Sequence, residues 1–316
     1  MKFLVTGGAG CIGSVLTEKL LEDGHRVVVF DNFSSGKTEH IKRISEDIKI
    51  VEGDILNFEN IRQAVDGVDA VFHLAANPDI KFQEGMSTDK DLKQNTIGTY
   101  NVLEAMRQKC VSSIVFSSTS AIYGEVGTKI ISENHAPLNP ISLYGASKLA
   151  CEALISSFCH MFGMQGWIFR FGNVVGSRSR VKGTTVLHDF ISKLRNNPTE
   201  LEILGNGQQR KSYIYADDCV NGMLVGFSKA RDTLNIFNLS SGDDITVNDI
   251  AKIVISKLCL KNVKLIYTGG DRGWLGDVPR FNLDVSKIKA LGWTPKHNSR
   301  QAIDIALDQI LETGQI

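Results

Sequence analysis

The chain has no excess of charge of either sign: Lys+Arg and Asp+Glu both number 35, a formal net charge of zero. Without a global positive field nothing draws in nucleic acid or an anionic membrane surface, and neither partner is expected. Long apolar runs are missing too. None approaches the ~18 residues of a bilayer-spanning helix, so no membrane span is predicted. The six cysteines (Cys11, Cys110, Cys151, Cys159, Cys219, Cys259) form no Cys-x-x-Cys pair and have no histidine at ligand spacing. That pattern argues against a zinc site or a disulfide framework, and no metal is expected. The cysteines read as reduced. The opening Lys2-Phe-Leu-Val-Thr6 lacks the basic-then-apolar build of a signal peptide, so a cytoplasmic location is expected. There are no tandem repeats or low-complexity tracts.

What is present is ordinary for a globular protein: 42% hydrophobic and 22% charged residues. The 316 residues exceed the roughly 250–300 beyond which one core stops growing. A large domain with a smaller companion follows.

Apolar strands alternate with helical stretches from the first residues onward. Phe3–Thr6, Arg26–Phe30, Ile48–Asp54, Asp69–Ala76, Ser113–Ser118 and Trp167–Phe171 read as six strands. Near-continuous apolar strands separated by helices predict a parallel sheet covered on both faces, an α/β fold of the Rossmann-type, doubly wound kind. Ligands then bind beyond the carboxyl ends of the strands. Gly7, Asp31, Asp54, Ala75 and Thr119 all fall at such ends, pointing to one crevice. After about Asn173 the rhythm breaks. Gly176–Gly183 reads as a loop, Val186–Asn196 as a helix, Asp217–Ser228 as a helix, and Leu234–Leu239 as a strand returning to the sheet. Helices over Thr246–Leu258, Ser286–Leu291 and Ser299–Leu311 and a strand over Val263–Tyr267 follow. The expected organisation is a nucleotide-binding domain over 1–172, with 213–242 returning to it, and a smaller C-terminal α/β substrate domain over 173–316.

The glycine run Gly7-Gly-Ala-Gly10-Cys11-Ile12-Gly13 stands between a strand and a helical pattern, and Asp31 ends the next strand eighteen residues after Gly13. Glycines allow a tight turn and close approach to a pyrophosphate, the helix start offers free N–H groups, and an acid can accept from ribose hydroxyls. An acid there also repels a 2′-phosphate, so NAD is expected rather than NADP. Further on, Tyr144 and Lys148 lie four residues apart on one helix face. A phenol keeps its proton to about pH 10, and a cation one turn away would favour the phenolate. Upstream, Phe116-Ser117-Ser118-Thr119-Ser120-Ala-Ile-Tyr123 is a hydroxyl-rich strand end.

Together these segments resemble the extended short-chain dehydrogenase/reductases, and within them the nucleotide-sugar epimerases of the UDP-glucose 4-epimerase type. The resemblance spans nearly the full chain through Gly7-x-x-Gly10-x-x-Gly13, Asp31-Asn-Phe-Ser-Ser-Gly36, Gly53-Asp54, His73-Leu-Ala-Ala76, Asn95 before Gly98-Thr-Tyr-Asn-Val-Leu, Ser117 to Gly124, Tyr144-x-x-x-Lys148 and Arg170 to Gly176. It implies an NAD-dependent epimerase that inverts C4 of a UDP-hexose through a transient 4-keto sugar. Tyr144 is then the acid/base, Lys148 lowers its pKa and holds the nicotinamide ribose, and Thr119 bonds the reacting oxygen, flanked by Ser118 and Ser120. Gly7, Gly10, Ile12 and Gly13 take the pyrophosphate with Cys11 packed under the cofactor. Asp31 takes the adenosine ribose, with Asn32, Ser34, Ser35 and Gly36 of the same motif in the cofactor site. Asp54 and Ile55 meet the adenine edge, and Leu74, Ala75 and Ala76 the middle of NAD, with Asn95 and Ser117 also in the cofactor site. Asn173 contacts the nucleotide diphosphate.

Two departures from the family pattern bear on that diphosphate. Trp274 stands where an arginine is common, leaving Arg272 to reach it. Lys211 replaces another arginine, with Arg210 beside it; a lysine attracts phosphate as a point charge rather than a fork. Bulk at Asp277-Val-Pro-Arg-Phe281 disfavours an N-acetylated sugar. A UDP-uronic acid or UDP-N-acetylhexosamine epimerase, a nucleotide-sugar 4,6-dehydratase and a non-enzymatic NAD sensor are the alternative readings. Dehydratases typically carry Asp-Glu after the threonine, whereas Ser120-Ala121 stand here. His73 reads as structural, and Lys81 and Lys90 to Lys93 as a solvated face. In the family, the counterparts of Leu92–Met106 and Leu149–Phe162 pair as a four-helix bundle, which implies a homodimer.

Overall fold

The computed structural model describes residues 1–79, 85, 87–176, 178 and 185–313. Lys81 lies outside these residues, as does most of the loop expected over 176–183. Seven strands form one sheet: β1 (Lys2–Thr6), β2 (Arg26–Asp31), β3 (Lys49–Glu52), β4 (Ala70–His73), β5 (Ser113–Thr119), β6 (Gln165–Phe171) and β7 (Leu234–Leu239). Their order is β7-β6-β5-β4-β1-β2-β3 and every pairing is parallel. The winding reverses at β1, so the crevice lies beyond the carboxyl ends of β1 and β4, where such sheets bind ligands.

The helices are α1 (Cys11–Glu22), α2 (Phe58–Ala64), α3 (Gly98–Gln108), α4 (Leu143–Phe162), α5 (Val186–Asn196), α6 (Ala216–Lys229), α7 (Val247–Lys257), α8 (Ser286–Lys289) and α9 (Ser299–Thr313). Successive strand residues face opposite ways, and the core divides accordingly. Phe3, Val5, Val27 and Val29 pack with Leu16 and Leu20 of α1 and Met223 of α6. Leu4, Val28 and Phe30 pack on the other face with Ile61 of α2, Leu103 of α3 and Ile155 of α4. Each fully buried phenylalanine or leucine contributes about 1.5–3 kcal/mol. That two-faced burial is why the strands read as unbroken apolar runs. A third cluster joins α5, α7 and α9 to Leu201 and Ile203, on a parallel strand pair, Glu200–Ile203 with Lys264–Tyr267.

Two connections differ from simple alternation. Between β2 and β3 there is no α-helix but two 3₁₀ turns, Thr38–His40 and Lys42–Ile44. The segment is tied back onto the glycine loop: the Lys37 amide and His40 Nδ1 lie 3.1 and 2.9 Å from the Ala9 carbonyl. Before α3, Leu92–Ile97 forms a π-helical turn. Asn95 there is fully engaged, its Oδ1 accepting from the Asn77 amide (2.8 Å) and its Nδ2 donating to Ser147 Oγ (2.8 Å). A widened turn at such a side-chain anchor is a common form of helix irregularity. Lys90 and Lys93 are exposed and pair with Asp79 and Asp89.

Candidate active site

Two cavities open at the crevice, of about 280 and 400 Å³, and share Ile12, Ser118, Tyr144 and Phe171 in their walls. The smaller follows the glycine loop. Gly7 has φ +68°, and a Cβ on Gly13 would stand 2.1 Å from the Gly7 carbonyl oxygen, so this turn closes only with glycine. It delivers the chain into α1, whose first turn carries no acidic residue and no side-chain cap. An uncapped helix start with no acid beside it is an anion-binding arrangement. Asp31 is buried in the same wall; its Oδ2 and Oδ1 accept from the Ala9 and Phe33 amides, both at 2.9 Å. Burial raises its pKa. These features fit a dinucleotide: backbone donors for a pyrophosphate and a fixed carboxylate for ribose hydroxyls.

Most of the expected cofactor residues line this cavity: Gly7, Gly10, Cys11, Ile12 and Gly13 on the loop, Asp31, Asn32, Ser34 and Ser35 after β2, Ile55, Leu74 to Ala76, Ser117, Tyr144 and Lys148. Three stand behind the wall. Gly36 packs under Asp31, where a Cβ would come within 2.9 Å of Oδ2. Asp54 accepts from Asn32 Nδ2 (3.0 Å) and the Leu56 amide (2.9 Å), bracing the strand ends. Asn95 makes the bonds described above. The wall also holds four polar residues that no sequence motif marks: His40, Asn77, Gln94 and Arg178. Arg178 Nη2 pairs with Glu18 of α1 at 2.6 Å.

The larger cavity runs toward the C-terminal part of the chain. Thr119, Asn173, Lys211 and Trp274 line it, as does Asp277. Burial raises the pKa of Tyr213 beside it, and Asn173 opposes that shift. Lys211 Nζ donates to Asp277 Oδ1 (2.5 Å) and to the Val278 carbonyl; burial lowers its pKa while Asp277 opposes the shift. Arg210 and Arg272 stand outside this wall. Arg210 Nη2 pairs with Asp244 at 2.5 Å, and Arg272 with Glu125 at 2.5 Å.

At the junction, α4 presents Tyr144 and Lys148 to the end of β5. Ser142 caps α4, its Oγ accepting from the Gly145 amide at 3.1 Å. Thr119 reaches the Tyr144 hydroxyl, and that interaction lowers its pKa, but burial outweighs it and holds the phenol well above its usual range. Lys148 is buried, donates to the Ser117 carbonyl (2.8 Å), sits 4.6 Å from the centre of the Phe116 ring, and is pushed down to about 8 by burial. In the chain alone, then, Lys148 is occupied by a backbone carbonyl, and the group acting on Tyr144 to favour its ionised form is Thr119. The neighbouring hydroxyls differ: Ser118 Oγ donates to Glu152 (2.5 Å), and Ser120 is buried in the 3₁₀ turn after β5. Among the described residues no cluster of His, Cys, Asp and Glu is arranged to hold a metal, and no helix is long and apolar enough to cross a membrane.

A parallel sheet wound in this order, with a glycine turn feeding a helix and a Tyr/Lys pair at the mouth, defines a nicotinamide-dinucleotide enzyme. Residues 3–240 match the NAD dependent epimerase/dehydratase family, and the chain belongs to it. A putative UDP-glucose 4-epimerase of Methanocaldococcus jannaschii is 33% identical over 308 residues, 95% of each chain. Among solved structures, a UDP-galactose 4-epimerase superposes with a TM-score of 0.88 at 35% identity, covering 99% of both chains. The UDP-glucose 4-epimerase of Thermotoga maritima with UDP-glucose gives 0.87 at 33%, again over 99% of both.

Proposed function

We propose that the protein inverts C4 of a UDP-hexose of the UDP-glucose/UDP-galactose type through a transient 4-keto sugar. The observation that carries this reading is the junction, where Tyr144 stands in the wall of both cavities and Thr119 shares the larger one with it. Bound there, NAD supplies a hydride acceptor and a positive charge. Tyr144 moves the proton of the sugar 4-hydroxyl, and Thr119 bonds the same oxygen. Lys148 holds the cofactor side, while Asn173 and Lys211 face the diphosphate. Since burial keeps Tyr144 a phenol in the chain alone, it becomes a base when a cation close to its oxygen outweighs that burial.

The wall near Tyr144 favours a neutral hexose. Ser118, Thr119, Ser120, Ser142 and Trp274 supply hydroxyls and an indole. The one cation among the described residues of the larger cavity's wall, Lys211, is paired with Asp277. Among the described residues of that wall, a uronic acid carboxylate would meet no cation but this paired one. Dehydration at C5–C6 needs an acid beside Thr119. Asp277 is engaged by Lys211, and Asp189, the other carboxylate among the described residues of the wall, by Lys193 at 3.0 Å. The same reading pairs two copies through α3 and α4.

The test is incubation of the purified protein with NAD and UDP-glucose, UDP-galactose, UDP-glucuronate, UDP-N-acetylglucosamine or dTDP-glucose, with products read by ¹H NMR. Interconversion of the two neutral UDP-hexoses is expected. Tyr144→Phe should lose about 10²–10⁴-fold in kcat while still binding NAD. Failure to interconvert any UDP-hexose, or a 4-keto-6-deoxy product, sinks the proposal.

A further inference from the structure

Three consecutive residues at the end of β5 each meet a different residue of one α4 face. Ser117 accepts from Lys148 Nζ through its carbonyl (2.8 Å), Ser118 donates to Glu152 Oε1 (2.5 Å), and Thr119 reaches Tyr144. The α4 partners, 144, 148 and 152, recur every four residues and so form one stripe. The outer two contacts join groups that line the cavities. The middle one ends on a carboxylate that lines neither.

Glu152 is 6% exposed and is held from behind by Arg170, itself 3% exposed: Nη2 to Oε2 is 2.7 Å and Nε to Oε1 is 3.1 Å. Arg170 Nη1 donates to Tyr123 Oη (2.9 Å), which donates to Asn238 Oδ1 on β7 (2.8 Å). A run of buried polar contacts therefore passes from β7 through β6 and α4 to the end of β5. Taking an ion pair out of water is seldom recovered as stability, and such pairs are best attested as fixing one arrangement against others.

We propose that Glu152 is a positioning residue for the reaction: through Ser118 it locks the end of β5 to α4, so that the Thr119 and Tyr144 hydroxyls converge on one oxygen of the bound sugar. The role rests on the epimerase reading of the site. A displacement of about 1 Å in such a constellation costs on the order of 10²-fold in rate, so the Ser118 hydroxyl, committed to Glu152, has leverage through where it holds Thr119 and Tyr144.

Ser118→Ala removes the middle contact and leaves the Glu152–Arg170 pair intact, whereas Ser118→Thr keeps the hydroxyl. Ser118→Ala is expected to lose about tenfold or more in kcat, with KM for the UDP-hexose within about twofold and a lower thermal midpoint, because a buried carboxylate loses a donor. Its acid limb of kcat should shift to higher pH, because Thr119 would no longer hold the phenolate form of Tyr144 as well. Ser118→Thr should restore both. In the cofactor-free chain, amide exchange at Thr119 and Ser120 should speed up in Ser118→Ala and not in Ser118→Thr. Unchanged kcat, pH limb and exchange in Ser118→Ala overturn the proposal, as does equal loss in the two variants. If wild-type protein turns over no nucleotide sugar, the epimerase reading fails separately, and the exchange comparison still decides whether Glu152 locks the strand end.

Discussion

At the scale of single residues, His73 shows how burial fixes a protonation state. It ends β4 with no exposed surface, Nδ1 2.7 Å from Thr6 Oγ1 and Nε2 3.0 Å from Thr99 Oγ1. Burial first, and the charge of Lys148 second, push its pKa down to about 3. The ring is therefore a neutral connector between β1, β4 and α3, as its apolar strand context suggested. Between about pH 6.5 and 3 the unfolded chain binds a proton at this position that the folded chain refuses, so stability falls as pH falls through that window. His73→Gln can keep hydrogen bonds but has no such proton. In urea unfolding at pH 7 and pH 5, wild type should lose about 2 kcal/mol more than His73→Gln on acidification. Equal losses would show that the imidazole takes up its proton in the folded state.

At the scale of elements, the start of α4 sets where Tyr144 stands. A Cβ on Gly145 would lie 2.8 Å from the Ala121 carbonyl oxygen, so the helix and the turn after β5 touch backbone to backbone. Gly145→Ala should push them apart, destabilising by about 1–3 kcal/mol and lowering kcat by more than that loss explains. Ser142→Ala, which removes only the cap, should cost about 1 kcal/mol with a smaller effect on kcat; thermal unfolding and turnover of the two variants check this ordering. Much at this scale was legible in the chain. Glycine spacing, the acid at Asp31, the Tyr144/Lys148 interval and unbroken apolar strands depend on local pattern, and Leu234–Leu239 joined the sheet as its composition suggested. What was not legible depends on partners distant in sequence. Arg210 and Lys211 look interchangeable as neighbours, yet adjacent strand residues point to opposite faces, sending Arg210 to Asp244 and Lys211 into the cavity. The π turn around Asn95, the reach of Arg178 to Glu18 and the tie from Ser118 to Glu152 are likewise set by tertiary contacts. No periodicity encodes them.

At the scale of the whole molecule, α3 and α4 are apolar on more than the side that meets the sheet. Val102, Leu103 and Met106 of α3 are buried inward, while Tyr100, Met161 and Phe162 remain exposed on the other side, Met161 at 73%. Tyr100, Phe158 and Phe162 form a line of edge-on rings, with centroids 6.3 and 5.1 Å apart, capped by the Arg107 guanidinium 5.5 Å from the last ring. Leu92, Ile97 and Leu143 extend the same exposed apolar character. A helix apolar on two sides needs two partners, and contiguous apolar surface rimmed by charge marks an association site. A second copy bringing its own α3 and α4 would cover it, and α4 also carries Tyr144 and Lys148, so pairing would brace the helix that presents the chemistry. Light scattering at micromolar concentration should give twice the chain mass for the wild type and a single chain mass for Tyr100→Glu/Met161→Glu, in which two charges would have to be buried against their own copies. That variant should also melt at a lower, concentration-independent temperature, because dissociation removes the mass-action term that stabilises an associating protein. A wild-type monomer, or a charged variant that still pairs, would locate the contact elsewhere on the surface.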